Sequence, residues 1–175
     1  MIAPLAVGAV RSLVKRLDYT PDPLSLFRAL SNNGQRAHSV LLESAEPTSR
    51  QTQKSLLVVS SALSIVCRGE SVRLQALNSN GRSLLPFLAE RLAAFTSLTS
   101  ENDIVLRVPV ASGEGSDEER LQAPSCLSVL RTIARDLKAE TANIPESVFL
   151  TGLFAYDLVG QFEALPEAGD HVLPD

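Results

Sequence analysis

Apolar residues three and four positions apart predict three helices, over 22–30, 82–95 and 125–140. The first begins at Asp22-Pro23, where a capping side chain precedes a proline that is preorganised for the first helical turn. All three segments place apolar residues on one side, so each helix is expected to pack that face against a core.

Short apolar runs and apolar–polar alternation predict strands between and after these helices. The predicted strands cover 39–44, 56–59, 62–67, 72–77, 104–108 and 148–156. The first is expected to be buried. The three strands from 56 to 77 are expected to form an antiparallel meander, with a tight turn at Arg68-Gly69. Asn80-Gly81 is expected to interrupt regular structure before the second helix, and a short helix is expected after residue 156.

Length and composition are those of one globular domain. The chain has 175 residues, of which 45% are hydrophobic and 21% charged, so a real core is expected. Sixteen basic and 20 acidic residues give a net charge of -4, and aromatic residues make up 5%. No nucleic-acid partner is expected, because such binding needs clustered positive charge or a stacking surface.

The two cysteines and the N-terminal segment bear on the cellular compartment. Cys67 and Cys126 lie outside any CxxC motif and are interpreted as small buried hydrophobes, which suits a reducing compartment. The early apolar run 2–10 falls short of the roughly 20 residues that span a bilayer, and its basic residues follow it. The sequence therefore favours a cytoplasmic protein without a membrane partner. An amphipathic leader over 1–17 is the alternative.

No local motif of a hydrolase, a nucleotide-binding enzyme or a metal site is present. The remaining candidate chemistry is Glu43-Ser44, at the end of a predicted strand, with Lys54 at the far side of the loop that follows. A carboxylate, a hydroxyl and an ammonium group could bind the polar groups of a small amino acid. The alternative is an ordinary strand end with a turn serine.

The order of segments resembles the N-terminal region of anthranilate synthase component I, over about residues 21–175. The resemblance is closest to the gammaproteobacterial type, in which the loop after Leu-Leu-Glu-Ser leads to Lys-Ser-Leu-Leu. The residues that carry it are Leu41-Leu42-Glu43-Ser44-Ala45, Lys54-Ser55-Leu56-Leu57-Val58, Ser61-Ala62-Leu63, Gln75-Ala76-Leu77, Asn80-Gly81 and Gly152-Leu153-Phe154-Ala155-Tyr156-Asp157-Leu158-Val159.

This resemblance implies an α+β fold, with an antiparallel β-sheet and about three flanking helices. Residues 1–20 are then an N-terminal extension, and 21–175 are the N-terminal domain of the family. In the family the Leu-Leu-Glu-Ser segment binds tryptophan, the end product, so Glu43, Ser44 and Lys54 are the implied L-tryptophan ligands. Glu43 favours the anthranilate branch, because relatives that make aminodeoxychorismate tend to lack this glutamate.

The resemblance also implies which parts of the enzyme lie outside these 175 residues. The family enzyme aminates chorismate, with ammonia from a glutamine amidotransferase subunit (component II), and eliminates pyruvate to give anthranilate. Its catalytic groups and Mg²⁺ ligands belong to the C-terminal chorismate-binding region. This chain is therefore expected to have no catalytic residue and no cofactor of its own, to be inactive alone, and to self-associate through an unpaired edge or apolar face.

Three other interpretations remain open at this point. The chain could be a stand-alone module that senses an amino acid, or a non-functional remnant of a truncated gene. It could also belong to another chorismate-using enzyme of the same family, since the N-terminal region alone does not fix the product.

Overall fold

The computed structural model describes residues 5–18, 22–43, 55–109, 116, 118, 122–140, 144 and 147–161. Within these ranges the fold is α+β, as expected, with two antiparallel sheets, one short parallel pair of strands and three α-helices. The helices are α1 (Pro23–Leu30), α2 (Ser79–Arg91) and α3 (Cys126–Asp136), and a 3₁₀-helix covers Tyr156–Gln161. The strands are β1 (Ala9–Val10), β2 (Val40–Glu43), β3 (Ser55–Val58), β4 (Leu63–Arg68), β5 (Ser71–Ala76), β6 (Thr96–Thr99), β7 (Asp103–Arg107) and β8 (Lys138–Ala139).

The centre of the fold is a four-stranded antiparallel sheet in the order β4-β5-β7-β6. Val72 and Leu74 of β5 pair with Leu106 and Ile104 of β7, so these four side chains share one face. All four are at most 1% exposed. Period-two alternation therefore separates the buried face of the sheet from its outer face, as the sequence predicts.

Helices α2 and α3 cover the buried face of this sheet. Helix α2 contacts β5, β7 and α3. Their apolar stripes complete one core with the sheet residues, namely Leu85, Phe87, Leu88 and Leu92 from or just after α2, and Cys126, Val129, Ile133 and Leu137 from or just after α3. Burial of this stripe, rather than helix propensity, is the main stabilising contribution to both helices.

The prediction that α2 begins after Asn80-Gly81 is wrong. The side chain of Asn78 accepts a hydrogen bond from the Gly81 N–H at 3.1 Å and caps the helix, so Asn80 and Gly81 form its first turn. The helix also ends at Arg91, four residues before the predicted end.

The predicted three-stranded meander is also wrong in one respect. β4 and β5 pair as expected, through the Gly69 turn, but β3 pairs with β2 in a separate two-stranded sheet. β6 was not predicted. Its sequence, Thr-Ser-Leu-Thr, follows the helix turn directly and has no long apolar run.

The predicted strand over 148–156 is wrong as well. Residues 148–155 have no regular secondary structure, and the chain then enters the 3₁₀-helix, close to the predicted short helix. Val148 and Leu158 pack against the core, whereas the side chains between them are largely exposed, including Leu153, Phe154 and Tyr156. No strand among the described residues pairs with this segment, so its apolar side chains are not part of a sheet.

The described residues at the N-terminus contact the rest of the fold. β1 pairs in parallel with β8, and Arg11 forms an ion pair with Glu140 that lowers the pKa of this carboxyl by a side-chain hydrogen bond. Helix α3 ends at Asp136, before the predicted 140, because Leu137 turns to extended backbone and leads into β8. None of the described helices is long and apolar enough to cross a membrane.

We predict that Gly81→Ala destabilises the fold by about 2–3 kcal/mol. A β-carbon at Gly81 would lie 2.0 Å from the backbone oxygen of Ala62, so the contact between α2 and Ala62, the residue before β4, has to open. Urea unfolding measures the change. Gly160→Ala is the matched control, because nothing lies within 4 Å of its added carbon, and its effect should stay within about 0.5 kcal/mol. Equal stability of the two variants would contradict this account.

Candidate functional site

Glu43 is the last residue of β2 and pairs with Ser55, the first residue of β3. Both side chains are exposed. The β2–β3 hairpin therefore presents a carboxylate at the end where its two strands meet the connecting residues 44–54, accessible to a ligand. The expectation that β2 is a buried strand is wrong, since Leu42 is 46% exposed and Val40 and Leu41 are only half-buried.

Ser44 and Lys54, the other two predicted ligands, lie outside the described residues. They are the chain neighbours of Glu43 and Ser55, which the hairpin register places opposite each other. The geometry of the predicted three-residue site is thus known at Glu43 alone.

Helix α1 and the turn after it lead the chain into β2. The helix contacts β3 and is capped by Asp22, whose carboxylate accepts from the Ser25 N–H at 3.0 Å. At its other end the Ser31 hydroxyl donates to the Phe27 carbonyl and accepts from the Gly34 N–H. Ser31 is fully buried, so these two bonds satisfy a polar group that would otherwise be costly there.

A second set of contacts ties the hairpin to the central sheet. We call it the Ala62 joint, formed by Ser61, Ala62, Asn78 and Gly81. The Ser61 hydroxyl donates to the His38 carbonyl at 3.3 Å, two residues before β2, and the Asn78 amide donates to the Ser61 carbonyl at 3.1 Å. The joint therefore connects the start of β2 to the N-terminus of α2.

Close packing at Ala62 completes the joint. The Ala62 carbonyl accepts from the Leu77 N–H at 2.9 Å, and Gly81 lies directly against the same carbonyl. Only a residue without a β-carbon fits there. The Ser61-Ala62-Leu63 and Asn80-Gly81 segments, which carry part of the family resemblance, thus have a structural role in positioning the hairpin.

Sequence reasoning did not identify Ser61 and Asn78 as positioning residues. Their partners are 23 and 17 residues away in the chain, and hydrogen bonds across such distances leave no periodic signal. The sequence does show a cluster of Ser, Asn and Gly between two apolar runs, but such a cluster predicts only a turn.

The described residues offer little other chemistry. They contain no group of three or more His, Cys, Asp or Glu side chains that could hold a metal ion. A shallow groove on the central sheet is lined by Arg68, Arg107, Leu98 and Val105, among others, and contains none of the predicted ligands. Arg107 there pairs with Glu70 at 2.8 Å.

Comparison with known proteins identifies relatives over almost the whole chain. "Anthranilate synthase component 1" of Salmonella typhimurium (strain LT2) is 42% identical over 164 residues, covering 87% of this chain and 29% of the relative. The protein of the same name from Escherichia coli (strain K12) is 39% identical and covers 90% of this chain. That of Vibrio cholerae serotype O1 is 38% identical and covers 99% of this chain. No family model matches the chain.

The α+β fold described above thus corresponds in sequence to part of a longer protein. The chain is homologous to the N-terminal region of anthranilate synthase component I. It spans about 30% of the length of the curated relatives it matches. The resemblance found in the sequence is therefore confirmed.

We predict that Asn78→Ala destabilises the fold by about 1–2 kcal/mol, because it removes both the α2 cap and the bond to Ser61. Asn80→Ala, two residues further on and exposed, is the matched control and should change stability by at most about 0.5 kcal/mol. Chemical denaturation of the two variants decides the point. A loss at Asn80 as large as at Asn78 would argue against the cap and the joint.

Proposed function

We propose that this chain is the tryptophan-sensing N-terminal region of an anthranilate synthase component I. In the complete enzyme, chorismate and ammonia or glutamine give anthranilate and pyruvate, the first step of tryptophan biosynthesis. The observation that carries the proposal is the match to three such proteins over 87–99% of the chain. The exposed carboxylate at the end of β2 supports the sensing role.

Glu43 is suited to receive the ammonium group of an amino acid. Its carboxylate is accessible, and a charge-assisted hydrogen bond to an ammonium group is about twice as strong as a neutral one. Ser44 follows Glu43 in the chain and Lys54 precedes its partner Ser55, and in this proposal they add a hydroxyl and a cation for the carboxylate of the ligand. L-Tryptophan is the amino acid that the family resemblance implies for this set.

Catalysis belongs, in this proposal, to the C-terminal chorismate-binding region of the enzyme together with its Mg²⁺ ion. We also propose that the chain is inactive alone, lies in the cytoplasm, and acts with that region and with the glutamine amidotransferase subunit. Feedback inhibition then requires that tryptophan bind one of two states of the assembled enzyme more tightly.

The apolar segment 149–156 supports association with further protein. Leu153 is fully exposed, Tyr156 is 86% exposed and Phe154 is 68% exposed. Contiguous apolar side chains of this size are rarely left in water. The remaining two thirds of the homologous enzyme is the partner that the proposal assigns to this segment.

A chimeric enzyme tests the proposed function. The region of the Salmonella typhimurium protein that matches this chain is replaced by this chain, and anthranilate formation is followed with chorismate, Mg²⁺ and ammonium. We expect an active enzyme that tryptophan inhibits. Glu43→Gln should retain activity and raise the tryptophan concentration for half-inhibition at least about tenfold, since a charged hydrogen bond contributes about 1.5–3 kcal/mol.

Two controls make this experiment decisive. Glu101→Gln neutralises another exposed glutamate, in the β6–β7 turn, and should leave inhibition unchanged. The chain alone should form no anthranilate. Unaltered inhibition in the Glu43→Gln chimera would contradict the sensing role, and a folded but inactive parent chimera would contradict the enzyme assignment.

Calorimetry of the chain alone with tryptophan distinguishes two interpretations. A stand-alone module binds tryptophan by itself, whereas a region that needs the rest of the enzyme does not.

We predict that the isolated chain self-associates through the apolar segment 149–156. The double variant Leu153→Asp and Phe154→Asp places charges on side chains that make no core contact and should shift sedimentation towards the monomer. Leu98→Asp, which alters an apolar side chain 78% exposed on the outer sheet face, is the control and should leave association unchanged. A parent chain that sediments as a monomer at high concentration would contradict the prediction.

A further inference from the structure

The dipeptide Asn-Gly occurs at Asn33-Gly34 and again at Asn80-Gly81. This dipeptide is chemically labile, because glycine has no β-carbon to hinder attack of its backbone nitrogen on the side-chain amide of the preceding asparagine. The reaction requires the glycine nitrogen to be released from its hydrogen bond and the backbone around it to rearrange. The surroundings of each copy in the fold therefore decide which of them reacts.

Asn33-Gly34 lies in the turn that follows α1. Residues 32–38 are all exposed, and an added β-carbon at Gly34 would meet nothing within 4 Å. The Gly34 N–H donates to the Ser31 hydroxyl at 2.9 Å. Since breaking this bond uncovers no apolar core, the turn can open locally at small cost.

The backbone of this turn is also strained. Asn32 and Asn33 have φ angles of 53° and 56°, in the left-handed region that is unfavourable for residues with a β-carbon. Asparagine tolerates this region better than most residues, but two in succession are uncommon. Opening of the turn relieves the strain, which further lowers the cost of reaching a reactive conformation.

The second copy, Asn80-Gly81, is held in the first turn of α2. Asn80 is exposed but Gly81 is buried. The Gly81 N–H donates to the Asn78 side chain at 3.1 Å, and Gly81 packs against the Ala62 carbonyl. Reaction here requires Asn80 to leave the helix and Gly81 to leave the Ala62 joint. Opening at this copy is therefore much more costly than in the turn after α1.

We propose that Asn33 is a site of spontaneous deamidation that yields isoaspartate as its main product, whereas the fold protects Asn80. The Gly34 nitrogen loses its proton and attacks the side-chain carbonyl carbon of Asn33, and the bond to the amide nitrogen breaks, which releases ammonia and forms a succinimide. Water then opens the ring. Attack at the main-chain carbonyl carbon gives isoaspartate, and attack at the side-chain carbonyl carbon gives aspartate.

The net reaction consumes one water and releases one ammonia, so it needs no oxidant, metal or second protein. It is also independent of the proposed binding of tryptophan. The isoaspartyl carboxylate lies on an exposed turn and is thus accessible to an enzyme that methylates such carboxylates. The structure therefore assigns a modification site and the class of enzyme that would recognise its product.

Modification alters the turn in two ways. Isoaspartate lengthens the main chain by one carbon, and it adds a negative charge after the C-terminus of α1, where the helix dipole disfavours anions. The Gly34 bond to the Ser31 hydroxyl and the bond from the Arg36 N–H to the Ser31 carbonyl at 2.9 Å both span this point. The same turn leads to His38, whose carbonyl accepts from Ser61. Deamidation is thus expected to loosen the entry of the chain into β2.

The test incubates the folded full chain and a guanidinium-unfolded sample in mildly alkaline buffer. Peptide mass spectrometry follows both asparagines, and enzymatic methylation identifies isoaspartate. In the unfolded sample Asn33 and Asn80 should react at similar rates, because both precede glycine. In the folded chain Asn33 should react at least about tenfold faster than Asn80.

Two variants separate the effects of the modification on stability. Asn33→Gln should remove the reaction at this position, so an aged sample of this variant should keep its thermal midpoint. Asn33→Asp supplies the charge without the added main-chain carbon. The thermal midpoint of the aged wild-type chain should therefore fall below that of Asn33→Asp.

Equal rates at Asn33 and Asn80 in the folded chain would overturn the proposal. Survival of Asn33 in the folded chain, under conditions that deamidate the unfolded sample, would overturn it as well. A product that is aspartate alone would contradict the succinimide route. The wild-type comparison contains its own reference site, so the result does not depend on whether either variant folds.

Discussion

The contact between Gly81 and the Ala62 carbonyl fixes the relation between the β2–β3 sheet and the central four-stranded sheet. A glycine there lets helix α2 begin directly against the first residues of the central sheet. The same carbonyl is bonded to the Leu77 N–H, and the adjacent Ser61 carries the bonds to Asn78 and to His38. The hairpin that ends at Glu43 is therefore tied to the central sheet at this joint.

Two kinds of residue can be distinguished in the part of the chain that matches the anthranilate synthase relatives: those that position the hairpin and those that the hairpin presents to a ligand. Ser61, Ala62, Asn78 and Gly81 determine where the hairpin lies, whereas Glu43 is exposed and makes no such structural contribution. A change at the joint would alter both stability and the position of the hairpin. A change at Glu43 would alter only what the hairpin can bind. The proposed sensing role depends on this difference.

Helix α1 and strand β5 could be predicted from sequence because the determining interactions are local. Asp22-Pro23 is a complete helix start within four residues, and alternation from 71 to 76 follows from one buried face. Glu43 could be placed at a strand end for the same reason. The chemistry of these residues indicates only a small amino acid as ligand. The choice of tryptophan comes from the family resemblance.

The errors have non-local causes. Asn80-Gly81 has the composition of a chain break, but the Asn78 cap and the packing at Ala62 make it the first turn of a helix. The apolar run after Val148 has strand composition, yet no described strand pairs with it. Gln161 bridges segments 35 and 92 residues away. A single polar residue at such distances carries no sequence pattern that could reveal its partners.

Amide hydrogen exchange of the Gly81→Ala variant tests the central role of the Ala62 joint most directly. The account predicts faster exchange in the amides of the β2–β3 hairpin and at Leu77, with the β5 and β7 amides at the sheet centre much less affected. Unchanged protection of the hairpin, with loss confined to α2, would show that the joint does not position the strand that carries Glu43.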